Sequence, residues 1–119
     1  MGDLQEISAR IRRFRDERDW AKFHNPKDMA IAISIESKEL LEHFLWKNAE
    51  EVSQRVETHR EEIQDEIADI AIYLMELADN LNIDLLAAME RKINKNEEKY
   101  PAELVKGSSR KYSEYGAKE

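Results

Sequence analysis

Two pairs of acidic residues lie inside apolar helical stripes, and any fold of this chain has to accommodate them. Glu36 and Glu39 are three residues apart, as are Glu66 and Asp69, so each pair lies on one face of a helix. Apolar residues share these faces at helical spacing, namely Met29, Ala32, Ile33 and Leu40 for the first pair and Ile63, Ile70, Tyr73 and Leu77 for the second. Buried carboxylates without partners are costly, and four together repel one another. The pattern therefore predicts a bound cation, and an oxygen-only ligand set favours Mg2+, with Mn2+ as the alternative.

The composition is typical of one helical domain. The chain has 119 residues, only three glycines and two prolines, and little alternation of β-branched residues, which predicts an all-α fold. The absence of cysteine excludes disulfides and thiolate metal sites. A formal net charge of -7 argues against a nucleic acid polymer as partner, although a metal can reverse the sign locally for a small phosphate ligand. Without an apolar run long enough for a membrane span or a secretion signal, we expect a cytoplasmic protein with no membrane partner.

Periodicity and capping residues predict four to five helices. We expect helices over residues 4 to about 19, 26 to 46 or 47, about 58 to 82, and 85 to 99, with a short helical segment between 48 and 58. Residues 1–101 are assigned to the helical domain. Residues 102–119 are assigned to a polar, mobile tail, with docking on a neighbouring subunit as the alternative. Phe44, Leu45 and Trp46 add more apolar surface than a small bundle needs, which indicates a subunit interface or a ligand pocket.

A magnesium cluster in a helical pocket is typical of phosphate chemistry, because the metal neutralises phosphate charge. A glutamate close to the metal can act as the general base. Candidate phosphate contacts are Lys47, after the second helix, and Lys92, which shares a face of the fourth helix with Asn96 and Tyr100. For each lysine the alternative is an ordinary solvated charge.

Aromatic residues, among them Trp20 and Trp46 at predicted helix ends, form a candidate base-binding box. Trp20, Trp46 and Tyr73 can stack on a nucleobase, whereas core packing is the alternative and is favoured for Phe23. His24 either seals its loop or contacts the ligand.

Two other interpretations of the carboxylates remain open at this point. One is a solvated face of charged helices, since 38% of the residues are charged. The other is a di-iron bundle, whose metal helices use Glu-x-x-His. His43 lies four residues after Glu39 and His59 lies seven before Glu66, so neither histidine has that spacing.

The ordered set of motifs resembles a known family. The segments 36–39 (ESKE) and 66–69 (EIAD) resemble the ExxE…ExxD signature of the MazG-like all-α nucleoside triphosphate pyrophosphohydrolases. The segments 14–20 (FRDERDW), 23–26 (FHNP), 39–47 (ELLEHFLWK) and 92–101 (KINKNEEKYP) resemble the dCTP pyrophosphatase branch of that family. The resemblance covers about residues 10–101.

The resemblance implies Mg2+-dependent hydrolysis of a nucleoside triphosphate to the monophosphate and pyrophosphate, in nucleotide-pool cleansing. It implies that the metal ligands are Glu36, Glu39, Glu66 and Asp69. It further implies a base and sugar pocket shaped by Trp20, Trp46 and Tyr73 with His24 near it, and phosphate or sugar contacts from Lys47, Lys92, Asn96 and Tyr100. Members are homo-oligomers with pockets at subunit contacts, so we expect a tetramer, or else a dimer.

The preferred base stays open, because Ile11 stands where dCTP-handling members carry a histidine. The competing hypothesis from another class is a non-catalytic helical oligomerisation module with the same fold, for which the apolar surface at residues 44–46 argues.

Overall fold

Helices account for most of the chain. A computed structural model describes residues 3–107, and in that range the chain forms six α-helices, one 3₁₀ turn and no strand. The helices are α1 Leu4–Glu17, α2 Pro26–Glu42, α3 Ala49–Thr58, α4 Arg60–Asn80, α5 Leu85–Lys99 and α6 Ala102–Val105, and the 3₁₀ turn is Ala21–Phe23. The all-α prediction is confirmed. The short α6 was not expected, because its residues were assigned to the tail; residues 108–119 of that tail lie outside the described residues.

Side-chain caps begin four of these helices, and two of the caps, Asn25 and Asp84, were predicted from the sequence. Asp3, Asn25, Asn48 and Asp84 each accept a hydrogen bond from the backbone N–H three residues on. Asn48 and Glu51 form a reciprocal capping box at the start of α3. These caps satisfy N–H groups that a helix leaves unpaired at its first turn.

The ends of α1 and α4 share one local geometry. Asp19 and Asn82 follow these helices with φ of 56° each, a left-handed conformation that Asp and Asn tolerate. The next N–H, of Trp20 or Ile83, reaches back five residues to the carbonyl of Arg15 or Ala78. This Schellman pattern satisfies carbonyls at the helix end and turns the chain sharply.

The predicted end of the second helix was wrong. Helix α2 stops at Glu42, and residues 43–46 form turns in place of the expected last helical turn. Trp46 has a φ of 62°, which is uncommon for a bulky residue and which no glycine in the sequence announces. His43, the first residue after α2, is buried, with only 5% of the residue exposed.

Helix α4 is the centre of the first of two compact units. This unit ends at Ile83, and in it α4 packs chiefly against α2 and also against α1 and α3. Met29, Ile63 and Ala78 are its most deeply buried apolar residues. The second unit begins at Asp84 and contains α5 and α6. The domain boundary at residue 101 stays a prediction.

Many large apolar side chains of the single chain are exposed. On α2, Ile31 and Ile35 are each 50% exposed, and on α4, Ile67 is 53% exposed. None of the helices within residues 3–107 combines the length and apolarity that crossing a membrane requires.

Candidate active site

The four predicted metal ligands lie on the two helices that pack most closely. Glu36 and Glu39 are on α2, and Glu66 and Asp69 are on α4. Glu36 and Glu66 are half-buried, whereas Glu39 and Asp69 are exposed. The expectation that both members of each pair face the core therefore holds only for the first member, because the helix rotates the second towards the surface.

The charges of these carboxylates act on one another. Burial raises the pKa of Glu36, and repulsion from Glu39, Asp69 and Glu66 raises it further, as does a hydrogen bond with Glu39. Burial likewise raises the pKa of Tyr73, with Glu36 and Asp69 adding to the effect. The other three carboxylates are therefore close enough to Glu36 for their charges to disfavour its ionisation.

A buried histidine lies against Glu66. Nε2 of His43 is 3.0 Å from Oε1 of Glu66, and Arg55 Nε donates a hydrogen bond to His43 Nδ1 at 3.1 Å. Because Nδ1 accepts, the ring proton is on Nε2. This N–H is close to Oε1 of Glu66 but does not form a hydrogen bond with it, because the buried Oε1 accepts none. Glu66 therefore lies against His43 and keeps unused acceptor capacity.

A divalent cation fits the chemistry of this group. Within residues 3–107, no three His, Asp or Glu side chains stand in a ready-made metal-binding arrangement. The donors are nevertheless all carboxylate oxygens, they repel one another, and one buried oxygen lacks a hydrogen-bond donor. A hard cation would relieve the repulsion and use that oxygen.

A cavity of about 460 Å3 lies beside the carboxylates in the first unit. Its volume is in the range of small-molecule pockets. Apolar and aromatic side chains from α1, α4 and the α1–α2 connection line most of it, with polar groups at several points; the lining is Ile7, Arg10, Ile11, Phe14, Trp20, His24, Asp69, Ile72, Tyr73 and Glu76. Three predicted substrate-binding residues, Trp20, His24 and Tyr73, therefore meet one predicted metal ligand, Asp69, around a single cavity.

Two of the lining aromatics pack against each other. The Phe14 and Trp20 rings are 5.8 Å apart, edge to face, and the His24 ring lies 6.2 Å beyond Trp20. Edge-to-face packing is a favourable arrangement of two rings, and it makes one wall of the cavity aromatic.

His24 makes its main contact with a residue that the sequence did not identify. Its Nδ1 is 2.7 Å from Oε1 of Glu76, and Glu76 is only 7% exposed. Asn80 donates from its side chain to the backbone carbonyl of His24. His24 is therefore tied to α4 twice, at residues one turn apart.

The remaining predicted substrate contacts lie elsewhere. Trp46 is 92% exposed and does not line this cavity, and neither does half-buried Lys47. Lys92 and Asn96 are exposed on α5 and Tyr100 follows that helix, all in the second unit.

Sequence reasoning missed Glu76 and His43 as site residues. Glu76 follows Asp69 by seven and Tyr73 by three, so helical spacing placed it on the same face. Helical periodicity was therefore a sufficient signal for Glu76. His43 lacks metal-ligand spacing, and its contact with Glu66 joins residues that are far apart in the sequence.

Three comparisons place the chain among known proteins. The sequence model of the MazG-like family matches residues 31–115. The chain is 39% identical over 113 residues to human dCTP pyrophosphatase 1, and the match covers 93% of this chain and 66% of the human protein. It is 38% identical to the Bos taurus protein of the same name, and that match covers 67% of the bovine protein. The chain thus spans about two thirds of the length of these relatives. The solved structure of a pyrophosphatase from Archaeoglobus fulgidus superposes with a TM-score of 0.80 at 43% identity, covering 85% of this chain and 94% of that one.

Proposed function

This chain belongs to the MazG-like family, and on that premise we propose that it is a nucleotide pyrophosphohydrolase. It converts a deoxynucleoside triphosphate, with dCTP or a related pyrimidine nucleotide favoured, to the monophosphate and pyrophosphate, and so removes unwanted nucleotides from the pool. One observation carries the proposal, namely that a carboxylate cluster and a cavity lie side by side in the first unit. Mutually repelling carboxylates lie directly beside an aromatic-lined cavity, and Asp69 belongs to both.

In this proposal the carboxylates hold Mg2+, with Mn2+ as a substitute. Glu36, Glu39, Glu66 and Asp69 are the ligands, and the unpaired Oε1 of Glu66 and the repulsion around Glu36 support that role. When bound, the cation neutralises phosphate charge and lowers the barrier to attack by water. A carboxylate that is not saturated by the cation accepts the proton of the attacking water.

The cavity receives the nucleoside. Its apolar wall excludes water from the base, and Trp20 and Tyr73 supply aromatic surface for the base and sugar. We assign Lys92, Asn96 and Tyr100, together with Lys47, to the phosphates or sugar by their motifs. Trp46, exposed in the single chain, would complete the pocket of a neighbouring subunit.

The functional unit is a homo-oligomer in this proposal, with a tetramer favoured over a dimer. The support is the exposed apolar surface of the single chain, including Ile31, Ile35 and Ile67 on the two helices that carry the carboxylates. Apolar surface on this scale is typical of association between subunits.

A product-resolved assay tests the activity. The four common deoxynucleoside triphosphates and 5-methyl-dCTP are incubated with the full chain and Mg2+, and monophosphate, diphosphate, phosphate and pyrophosphate are separated. We expect monophosphate and pyrophosphate in equal amounts, abolished by EDTA.

Two aspartates on the same helix give a matched pair of variants. Asp69→Asn removes a proposed ligand, and we expect at least a 100-fold loss of kcat. Asp65→Asn removes an exposed carboxylate of α4 outside the site and should retain near-normal turnover. Absence of turnover in the folded wild type, or equal activity in both variants, would refute the proposal.

A further inference from the structure

Glu76 is placed in the cavity in a way that packing alone does not explain. It is 7% exposed, a degree of burial that is rare for a charged residue, and His24 pairs with its carboxylate at Oε1. Its carboxylate lines a cavity whose walls are otherwise largely apolar. A carboxylate kept in such surroundings is a strong acceptor for any N–H group that enters.

His24 fixes the direction of this acceptor. Its Nδ1 lies 2.7 Å from one carboxylate oxygen, Oε1 of Glu76. Asn80, one helical turn after Glu76, holds the backbone carbonyl of His24. Asn80 therefore fixes the backbone from which the His24 side chain reaches Glu76, and the carboxylate has a partner at Oε1 before any ligand arrives.

The spacing along α4 matches the length of a nucleoside. Asp69, Tyr73 and Glu76 follow one another around the same cavity. Seven residues of α-helix rise about 10 Å, which is comparable to the distance from the phosphate to the far edge of a pyrimidine. If the phosphates lie at Asp69, as the proposed function requires, the base edge lies at Glu76.

From this geometry we propose that Glu76, oriented by His24, is the residue that selects the base, favouring a pyrimidine with an amino group at position 4 over one with a keto group there. This inference rests on the proposed function for the placement of the phosphates. The carboxylate accepts a hydrogen bond from the exocyclic amino group of a cytosine-type base, as acidic side chains do when they recognise cytosine N4. A 4-keto base presents lone pairs to the carboxylate instead, which leaves both acceptors unpaired and repelling.

A hydrogen bond to a charged group sets the size of the effect. We expect the protein to bind dCMP roughly 10- to 100-fold more tightly than dUMP, because one charge-assisted hydrogen bond is replaced by a repulsive contact. Hydrolysis plays no part in this prediction, because both ligands are monophosphates.

Calorimetric titration of the full chain with dCMP and dUMP, with Mg2+ present, tests the assignment. Glu76→Gln keeps the shape and adds an amide that can donate to a keto oxygen, so the ratio of the two dissociation constants should fall to within about 3-fold. Glu61→Gln, at an exposed position of the same helix, is the matched control and should keep the wild-type ratio. A purely structural Glu76 would change both dissociation constants together and leave the ratio unaltered.

A second ligand keeps the test independent of any variant. N4,N4-dimethyl-dCMP retains the cytosine ring but has no N–H at the 4-position, and wild-type protein should bind it at least 10-fold more weakly than dCMP. Equal affinity for dCMP and dUMP, a preference that survives in Glu76→Gln, or undiminished binding of the dimethyl analogue would overturn the inference.

The two proposals fail separately. Selective binding of dCMP that Glu76→Gln abolishes would support the assignment of Glu76 even if no triphosphate were hydrolysed. Hydrolysis with the same base preference in wild type and Glu76→Gln would leave the proposed function standing and reject the role of Glu76.

Discussion

Replacing Glu36 with Gln should stabilise the metal-free protein and weaken its response to Mg2+. Glu36 is half-buried and feels the charges of Glu39, Glu66 and Asp69. A like-charge pair one turn apart on a helix, such as Glu36 and Glu39, costs about 0.2–0.5 kcal/mol. With a cost of the same size for each of the two pairs between α2 and α4, the total is about 1 kcal/mol. Removing the charge while keeping the shape should therefore add about 1 kcal/mol to the free energy of unfolding, or roughly 3–5 °C in Tm.

The effect should depend on pH in a defined direction. The pKa of Glu36 is raised above its ordinary value of 4.5 in the folded state, so the folded protein binds more protons than the unfolded chain just above that pH. This group therefore lowers stability as pH rises from about 4.5 through its folded pKa. The advantage of Glu36→Gln should be present at neutral pH and vanish near pH 4.

Urea unfolding with and without Mg2+ measures both the stability of the metal-free protein and its stabilisation by the cation. Free Mg2+ at 100 times its dissociation constant should stabilise the wild type by about 2.7 kcal/mol, and Glu36→Gln should gain much less. Glu42→Gln, on the same helix and in an exposed pair with Lys38, is the control and should stay within about 0.5 kcal/mol of wild type. A metal-free Glu36→Gln protein less stable than wild type at neutral pH would refute the repulsion argument. Full Mg2+ stabilisation of the variant would remove Glu36 from the metal site.

Two further predictions concern burial and association. His43→Ala should lower the free energy of unfolding, measured in urea, by about 2–4 kcal/mol, because Arg55 loses its acceptor and a buried ring is removed. His43→Gln should lower it by less. A loss below about 1 kcal/mol for the alanine variant would contradict the structure. Ile35→Asp places a charge on the exposed apolar surface of α2, so it should shift the protein towards monomer in light scattering coupled to size exclusion. Gln54→Asp, at an exposed position of α3, is the control and should leave the oligomeric state unchanged. A wild type that is monomeric at micromolar concentration would refute the homo-oligomer.

Local chemistry explains why helix starts were predictable. Asn25 and Asp84 cap helices through contacts three residues away, so the information lies entirely within one turn. The i, i+3 spacing of the carboxylate pairs is likewise local, and it correctly placed each pair on one helix. The all-α class followed from the same short-range signals.

The end of α2 shows where local signals stop. Residues 44–46 continue an apolar pattern with no glycine or proline, and periodicity alone extends the helix through them. The chain turns instead, and His43 then contacts Arg55, 12 residues away, and Glu66 on α4. A side chain that finds partners on other helices outweighs the modest preference for one more helical turn.

Local sequence signals were sufficient for the all-α class, the starts of α2 and α5 and the faces that the acidic residues share. Which carboxylates are buried depends on the helix that packs opposite, so packing between helices sets it. Glu36 and Glu66 are half-buried where α2 meets α4, while Glu39 and Asp69 stay exposed. Glu76 and His24, 52 positions apart, line the same cavity and contact each other, which sequence spacing does not predict. Helical periodicity determines which side chains share a face of one helix. A binding site also requires several helices to be placed relative to one another, and packing between residues far apart in the sequence sets that placement.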